Sequence, residues 1–255
     1  MLSVPGALAL YGFVLAAMMS VGGVLSAYGL PGVAASEWLC IAAPTLAAAG
    51  LAPGHAASAS LGLRRPRARH LLGATLVGAS SWVVVYYGVV AVQELVAPVP
   101  RALTEELEKL AAPAGTVIGP LLAVALTPGI CEELLCRGAV LSALRHRFGS
   151  WPAVLISAVL FGAMHLSPYR FIPTFLLGIS FGALAVASRS IFPAMLAHAL
   201  NNAAVVLASS AGAVAVREGL AAHRLPSVGL AVTFLTIGHI LVSRNVKPPT
   251  SAGDQ

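Results

Sequence analysis

The sequence predicts an all-α fold, a polytopic membrane bundle of about eight transmembrane helices. Three observations carry that expectation. Of the 255 residues, 58% are hydrophobic and only 9% charged, where a soluble domain carries roughly 25% charge. Mean hydropathy is +0.89. Eight apolar runs also approach the roughly 20 residues that a helix needs to cross a bilayer. Together these exclude a large soluble domain, a nucleic-acid module and a disulfide-stapled secreted fold.

The runs fall at 5–29, 37–53, 70–97, 115–144, 151–168, 171–188, 190–214 and 226–243. Helix-breaking residues mark the gaps: Pro31-Gly32 and Pro53-Gly54 close the first two runs, Gly149 and Pro152 bracket another, and Pro168 opens a third. No internal repeat or low-complexity linker divides the chain, so residues 1–246 read as one transmembrane domain. The segment 247–255 reads as a disordered tail. Arg101 to Ala112 reads as a short amphipathic helix with a solvated face.

Charge sets the expected orientation. The net charge of +6 lies at helix ends, where it orients a membrane protein and does not signal nucleic-acid binding. Arg64, Arg65, Arg67, Arg69, Arg145, Arg147, Arg189, Arg244 and Lys247 mark one side. Arg101, Lys109, Arg170, Arg217 and Arg224 mark the other, diluted by Glu37, Glu94, Glu105, Glu106, Glu108 and Glu218. The first set is expected in the cytoplasm, with both termini inside and the chain in the inner (plasma) membrane. No basic stretch precedes the first apolar run, which argues against a cleaved signal peptide. Arginine far exceeds lysine and alanine is abundant, a composition that suggests GC-rich bacterial coding. Of the cysteines, Cys131 and Cys136 are five apart on a helix, roughly 8 Å, too far for a disulfide.

Ionisable side chains inside a span cost several kcal/mol each and mark function. The fourth run contains Thr127-Pro-Gly-Ile-Cys-Glu-Glu-Leu-Leu-Cys-Arg137. Glu133 and Arg137 are four apart and share a face, so they can pair. Glu132 points about 100° away and lacks that partner, which suits a general base. Pro128 removes a backbone donor beside the carboxylates. In the fifth run Phe161 and His165 are four apart on one face; in the seventh, His198 and Asn202 are one turn apart and Asn201 is turned away. His239 in the last run reads as a packing histidine. Three polar groups on three helices need a common centre.

In their order and spacing, Glu-Glu-x-x-x-Arg at 132–137, Phe-x-x-x-His at 161–165 and His-x-x-x-Asn at 198–202 resemble the CPBP family. That family includes type II CAAX prenyl endopeptidases and bacteriocin-processing and immunity proteins. The resemblance covers roughly 115–210 and implies a glutamic intramembrane protease without metal or other cofactor. It would make Glu132 the base that activates water, with His165 holding that water and His198 and Asn202 forming the oxyanion hole. Glu133 and Arg137 would orient Glu132, and Phe161 would pack beside it. The partners implied are the lipid bilayer and a membrane-anchored or C-terminally hydrophobic protein substrate. Position 136, commonly aromatic in the family, is Cys here; with Cys131 it flanks the glutamates, and a myxosortase-like subtype fits that feature. Three other readings use the same residues: a zinc protease on His165, His198 and a glutamate; a non-catalytic immunity or scaffold protein; and a transporter.

Overall fold

The computed structural model describes residues 2–51, 57–100, 105 and 116–244. The amphipathic segment expected at 101–112 and the tail from 247 lie outside the described residues, apart from Glu105. Among the described residues ten helices follow one another: α1 Val4–Ser26, α2 Gly29–Leu51, α3 Ala57–Ser60, α4 Ala68–Val96, α5 Ile118–Phe148, α6 Ser150–Ala163, α7 Pro168–Ser188, α8 Phe192–Ser209, α9 Val214–Ala222 and α10 Arg224–Ser243. Seven of them are long and apolar enough to span a membrane.

The remaining apolar run is shorter than the sequence suggests. Helix α6 has 14 residues, roughly 21 Å at 1.5 Å per residue, against a hydrocarbon core of about 30 Å. It ends at Ala163, so Met164 and His165 lie in a turn and not on the helix. A second boundary also moves. Helix α2 begins at Gly29, eight residues before the expected run, and Pro31 sits in its first turn. There a missing N–H breaks no helical bond, so Pro31 belongs to the start of the second span. Glu37, expected in an exposed connector, is consequently inside that span and buried.

Helix α5 occupies the middle and is the most buried of the seven spans. Its neighbours are α2 on one side, α6 at the hairpin and α8 along the stretch Leu121–Glu133. Helix α4 packs against both α8 and α10, and α6 packs along α7. At Gly129 a Cβ would come within 2.9 Å of the Ala199 Cβ and 3.0 Å of its backbone nitrogen. The absence of a side chain at 129 therefore sets how closely α5 and α8 approach, as small residues do in membrane bundles. The core between the helices holds Ile41, Val77, Leu135, Val140, Phe161 and Phe181.

The α5–α6 reversal is made at Gly149, whose φ of +79° an L side chain rarely adopts. Residues equally distant in sequence from that turn meet across the hairpin. Arg137 and Phe161 are such a pair, and the guanidinium carbon lies 4.4 Å from the ring centroid. Ser157 Oγ donates to the Cys136 carbonyl at 3.0 Å, and Cys136 Sγ lies 3.8 Å from Met164 Sδ.

Candidate active site

The polar side chains of α5 converge on those of α8. Arg137 Nη1 donates to Glu133 Oε1 at 2.9 Å, and its Nη2 donates to the Gly178 carbonyl of α7 at 2.9 Å. The same Glu133 oxygen lies 2.9 Å from His198 Nδ1. Glu133 and Arg137 are 0% and 1% exposed. A carboxylate that accepts from both a guanidinium and an imidazole compensates the desolvation that a lone buried charge would suffer. The i, i+4 spacing of Glu133 and Arg137 is a local consequence of helix geometry; the His198 contact depends on the close approach at Gly129.

Glu132 is in a different situation. It is 8% exposed and makes no ion pair with Arg137; its Oε2, like that of Glu133, is buried with no hydrogen-bond partner among the described residues. Across the helices it faces His198, whose Nε2 lies 3.9 Å from Glu132 Oε2. The imidazole of His198 thus has one nitrogen on Glu133 and the other facing Glu132. Two polar atoms at that separation can be bridged by one water.

Aromatic rings enclose the histidines. Phe161 makes edge contacts with His165 and His198, at centroid distances of 5.2 and 5.6 Å, while Phe181 of α7 stacks on His198 at 5.2 Å. His165 Nδ1 lies 2.9 Å from the Phe161 carbonyl, a bond in which the ring nitrogen must donate, leaving Nε2 as an acceptor. His165 keeps its place beside Phe161 although the helix has ended, because this bond continues the helical pattern for one more turn. The next residue, Leu166, has φ +51°, an uncommon conformation for a non-glycine residue.

Asn202 and Asn201 are positioned from two directions. Asn201 is buried, accepts from Ser81 Oγ of α4 at 2.8 Å and donates to Asn202 Oδ1 at 3.1 Å. Asn202 Nδ2 donates to the Val124 carbonyl at 3.1 Å. Val124 precedes Pro128 by four residues, and proline has no N–H to offer it. The asparagine thus anchors α8 to the α5 backbone just ahead of the proline, with one of its two N–H donors committed.

The structure therefore brings Glu132, Glu133, Arg137, Phe161 and His198 together, with His165 joined through Phe161 and Asn202 one turn from His198. Sequence reasoning missed Phe181, the Gly178 carbonyl, the Ser81–Asn201 link and Glu37. Glu37 Oε2 is also buried without a hydrogen-bond partner among the described residues, on a stretch of α2 that packs against Thr127–Glu133. The signal for it was a lone carboxylate beside an apolar run that extends back to Gly29. Cys40, Cys131 and Cys136 are buried free thiols, and His239 is a packing residue, 2.9 Å from Ser180 Oγ. Among the described residues no three His, Cys, Asp or Glu side chains are grouped to hold a metal ion. A cavity of about 430 Å³ opens beside Arg64, Arg145 and Arg189, and Arg137 lines it too.

Fold and site define a polytopic helical membrane protein with a desolvated Glu-Glu-Arg-His centre. Residues 114–204 match the family model described as type II CAAX prenyl endopeptidase Rce1-like. That segment is similar to the type II CAAX prenyl endopeptidases, and the activity the match supports is that of a CAAX-type membrane protease in general. The segment contains α5 to α7 and the part of α8 with His198 and Asn202; helices α1 to α4 lie outside it. Comparison with curated proteins and with solved structures gave no match.

Proposed function

We propose that this protein is an intramembrane endopeptidase that hydrolyses a peptide bond near the C-terminus of membrane-associated proteins, with Glu132 as the base that activates water. One observation carries the reading: of two adjacent buried glutamates, each with an unpartnered Oε2, Glu133 is tied through Oε1 to Arg137 and His198 while Glu132 faces the same histidine at 3.9 Å. An ion pair built only to lock helices together would account for the first glutamate and leave the second as an uncompensated burial.

A water held between Glu132 Oε2 and His198 Nε2 would give its proton to Glu132 as its oxygen attacks the substrate carbonyl carbon. The developing oxyanion would be met by donors from His198 and Asn202. An imidazolium at 198 offers Nε2–H to the oxyanion while Nδ1–H stays on Glu133, and Asn202 has its second N–H. Glu132 then passes the proton to the departing amine as the C–N bond breaks. Glu133 and Arg137 hold His198 and the helix in register, and His165 offers its acceptor Nε2 to the water. The cavity lined by Arg137 supports water supply from the Arg-rich side, which we place in the cytoplasm of the plasma membrane.

The substrate class follows from depth. A site buried among spans is open to chains already in the membrane, and we favour a C-terminal hydrophobic sorting helix over a prenylated tail. The test uses purified protein in liposomes with two probes: a reporter ending in an apolar helix and a farnesylated fluorogenic C-a-a-X peptide. Cleavage of either by wild type and its loss in Glu132→Gln supports the mechanism; near-normal cleavage by Glu132→Gln overturns it. In cells, tails retained on surface proteins after knockout support the sorting-helix substrate. Normal maturation with altered bacteriocin sensitivity alone would replace it with the immunity reading.

A further inference from the structure

The cavity of about 430 Å³ lies where α5 and α7 end, α8 begins and the connector ahead of α4 passes. Its size is that of a small-molecule site, not of a single ion. Arg137, Leu141 and Arg145 line it at four-residue spacing, so one face of α5 forms a wall roughly 12 Å long. That wall runs from exposed Arg145 to Arg137, which is 1% exposed.

The charge around this space is unbalanced. Arg64, Arg145 and Arg189 bring three guanidinium groups, and no Asp or Glu lines the cavity. The ion pairs among the described residues involve none of the three, and the Arg137 charge is already met by Glu133. The C-terminal ends of α5 and α7 each contribute roughly −0.5 charge. Three positive charges less about one leave a surplus of about +2.

The backbone holds these groups in place. Ser190 Oγ donates to the Arg64 carbonyl at 2.6 Å, and the Ile191 N–H donates to the Gly62 carbonyl at 3.1 Å. Two bonds thus staple the connector to the start of α8 and fix where Arg64 emerges. Arg189 caps α7 at φ +56°, a left-handed position that glycine usually fills. The side chain there brings the third charge to the mouth of the cavity. Exposed aromatic residues mark the level: Phe148 and Trp151 at the α5–α6 turn and Phe192 at the start of α8, residues of the kind that settle among lipid headgroups.

We propose that this cavity binds the phosphate ester of an anionic lipid headgroup, gripped by Arg64, Arg145 and Arg189. Guanidinium groups match phosphate oxygens with paired N–H donors, and basic pockets between spans on the cytoplasmic side suit such headgroups. A headgroup brings its own hydration, so water still reaches Arg137. Binding of this kind is independent of whether Glu132 is a base.

The test titrates the purified, delipidated chain with phosphatidylglycerol, phosphatidylcholine and inorganic phosphate, counting bound copies by native mass spectrometry. One phosphatidylglycerol should bind per chain ahead of any other. Arg64→Gln, Arg145→Gln and Arg189→Gln should each weaken it about tenfold, the usual effect of losing a charge-assisted hydrogen bond. Arg147→Gln removes the same charge from an exposed neighbour outside the cavity and should leave binding intact. Arg189→Gly relieves the positive φ, so lipid lost from that variant without a fall in melting temperature supports the site and is not unfolding. Equal weakening by Arg147→Gln would show diffuse surface attraction and overturn the site. Phosphatidylcholine held as tightly as phosphatidylglycerol overturns the role of the surplus charge. Inorganic phosphate bound as tightly as the lipid hands the cavity to a soluble phosphate ester and overturns the lipid as ligand. No lipid bound, with KM for the apolar-helix reporter raised by the three variants at constant kcat, would assign the arginines to an anionic group of the substrate instead.

Discussion

His198 and Glu133 are joined by a 2.9 Å contact through the oxygen that also receives the Arg137 guanidinium. The glutamate therefore holds together a helix turn and a helix pair at once. It is the shared acceptor for two donors from different directions, and both donors lose it together.

Glu133→Gln should for that reason damage stability more than Glu132→Gln does. Breaking one partner out of a buried pair usually costs about 3–5 kcal/mol. Thermal unfolding in detergent should show a clear drop for Glu133→Gln and a small change for Glu132→Gln, while cleavage by Glu132→Gln should fall by about 10²–10⁴. The opposite ranking in stability would mean the two glutamates have been assigned the wrong way round.

His198→Ala and Asn202→Ala should each slow cleavage by about 10²–10³, the usual effect of losing an oxyanion donor. Asn201→Ala should slow it much less, its bonds being to Ser81 and to Asn202 itself. Rates measured side by side decide this, and equal losses at 201 and 202 would reverse the face of α8 that meets substrate.

Pro128→Ala restores an N–H four residues after Val124. That N–H lies beside the Val124 carbonyl and competes there with Asn202. Stability should rise by some fraction of the ~3 kcal/mol by which proline disfavours a helix interior, while cleavage falls because Asn202 is released. A variant both more stable and fully active would show that the asparagine does not depend on the proline.

Gly129→Ala tests the approach of α5 to α8. The added Cβ meets Ala199 at 2.9 Å, partly at its backbone, so the helices must separate. A loss of about 1–3 kcal/mol is expected from overpacking, together with weakened cleavage as His198 draws away from Glu133. Unaltered melting and activity would mean that the spans slide past each other freely at this point.

How much of this could be read from the sequence differs from residue to residue. The Glu133–Arg137 pair is local, since two residues four apart on a helix meet whatever surrounds them. The eight apolar runs were visible because lipid exposure selects composition directly. Phe161 and His165 also meet, but in a turn after the helix, because the His165 ring nitrogen bonds to the Phe161 carbonyl where the helix has ended. Glu37 was assigned to a connector because a carboxylate next to an apolar run looks like its boundary. What buries it is the packing of α2 on α5, and no periodicity within α2 records which helix lies opposite. The Val124–Asn202 bond was hidden for the same reason: its donor comes from a residue far along the chain.

Helix α6 stops after 14 residues, and that shortness bears on the lipid as well as on His165. An apolar rod of roughly 21 Å cannot match the hydrocarbon thickness beside it, so acyl chains next to its end must splay or the bilayer must thin there. Local thinning brings headgroups and their water down toward the turn that carries His165. Hydrophobic mismatch carries a modest cost per ångström, so the same protein should be a better or worse enzyme according to the acyl length of the lipids around it.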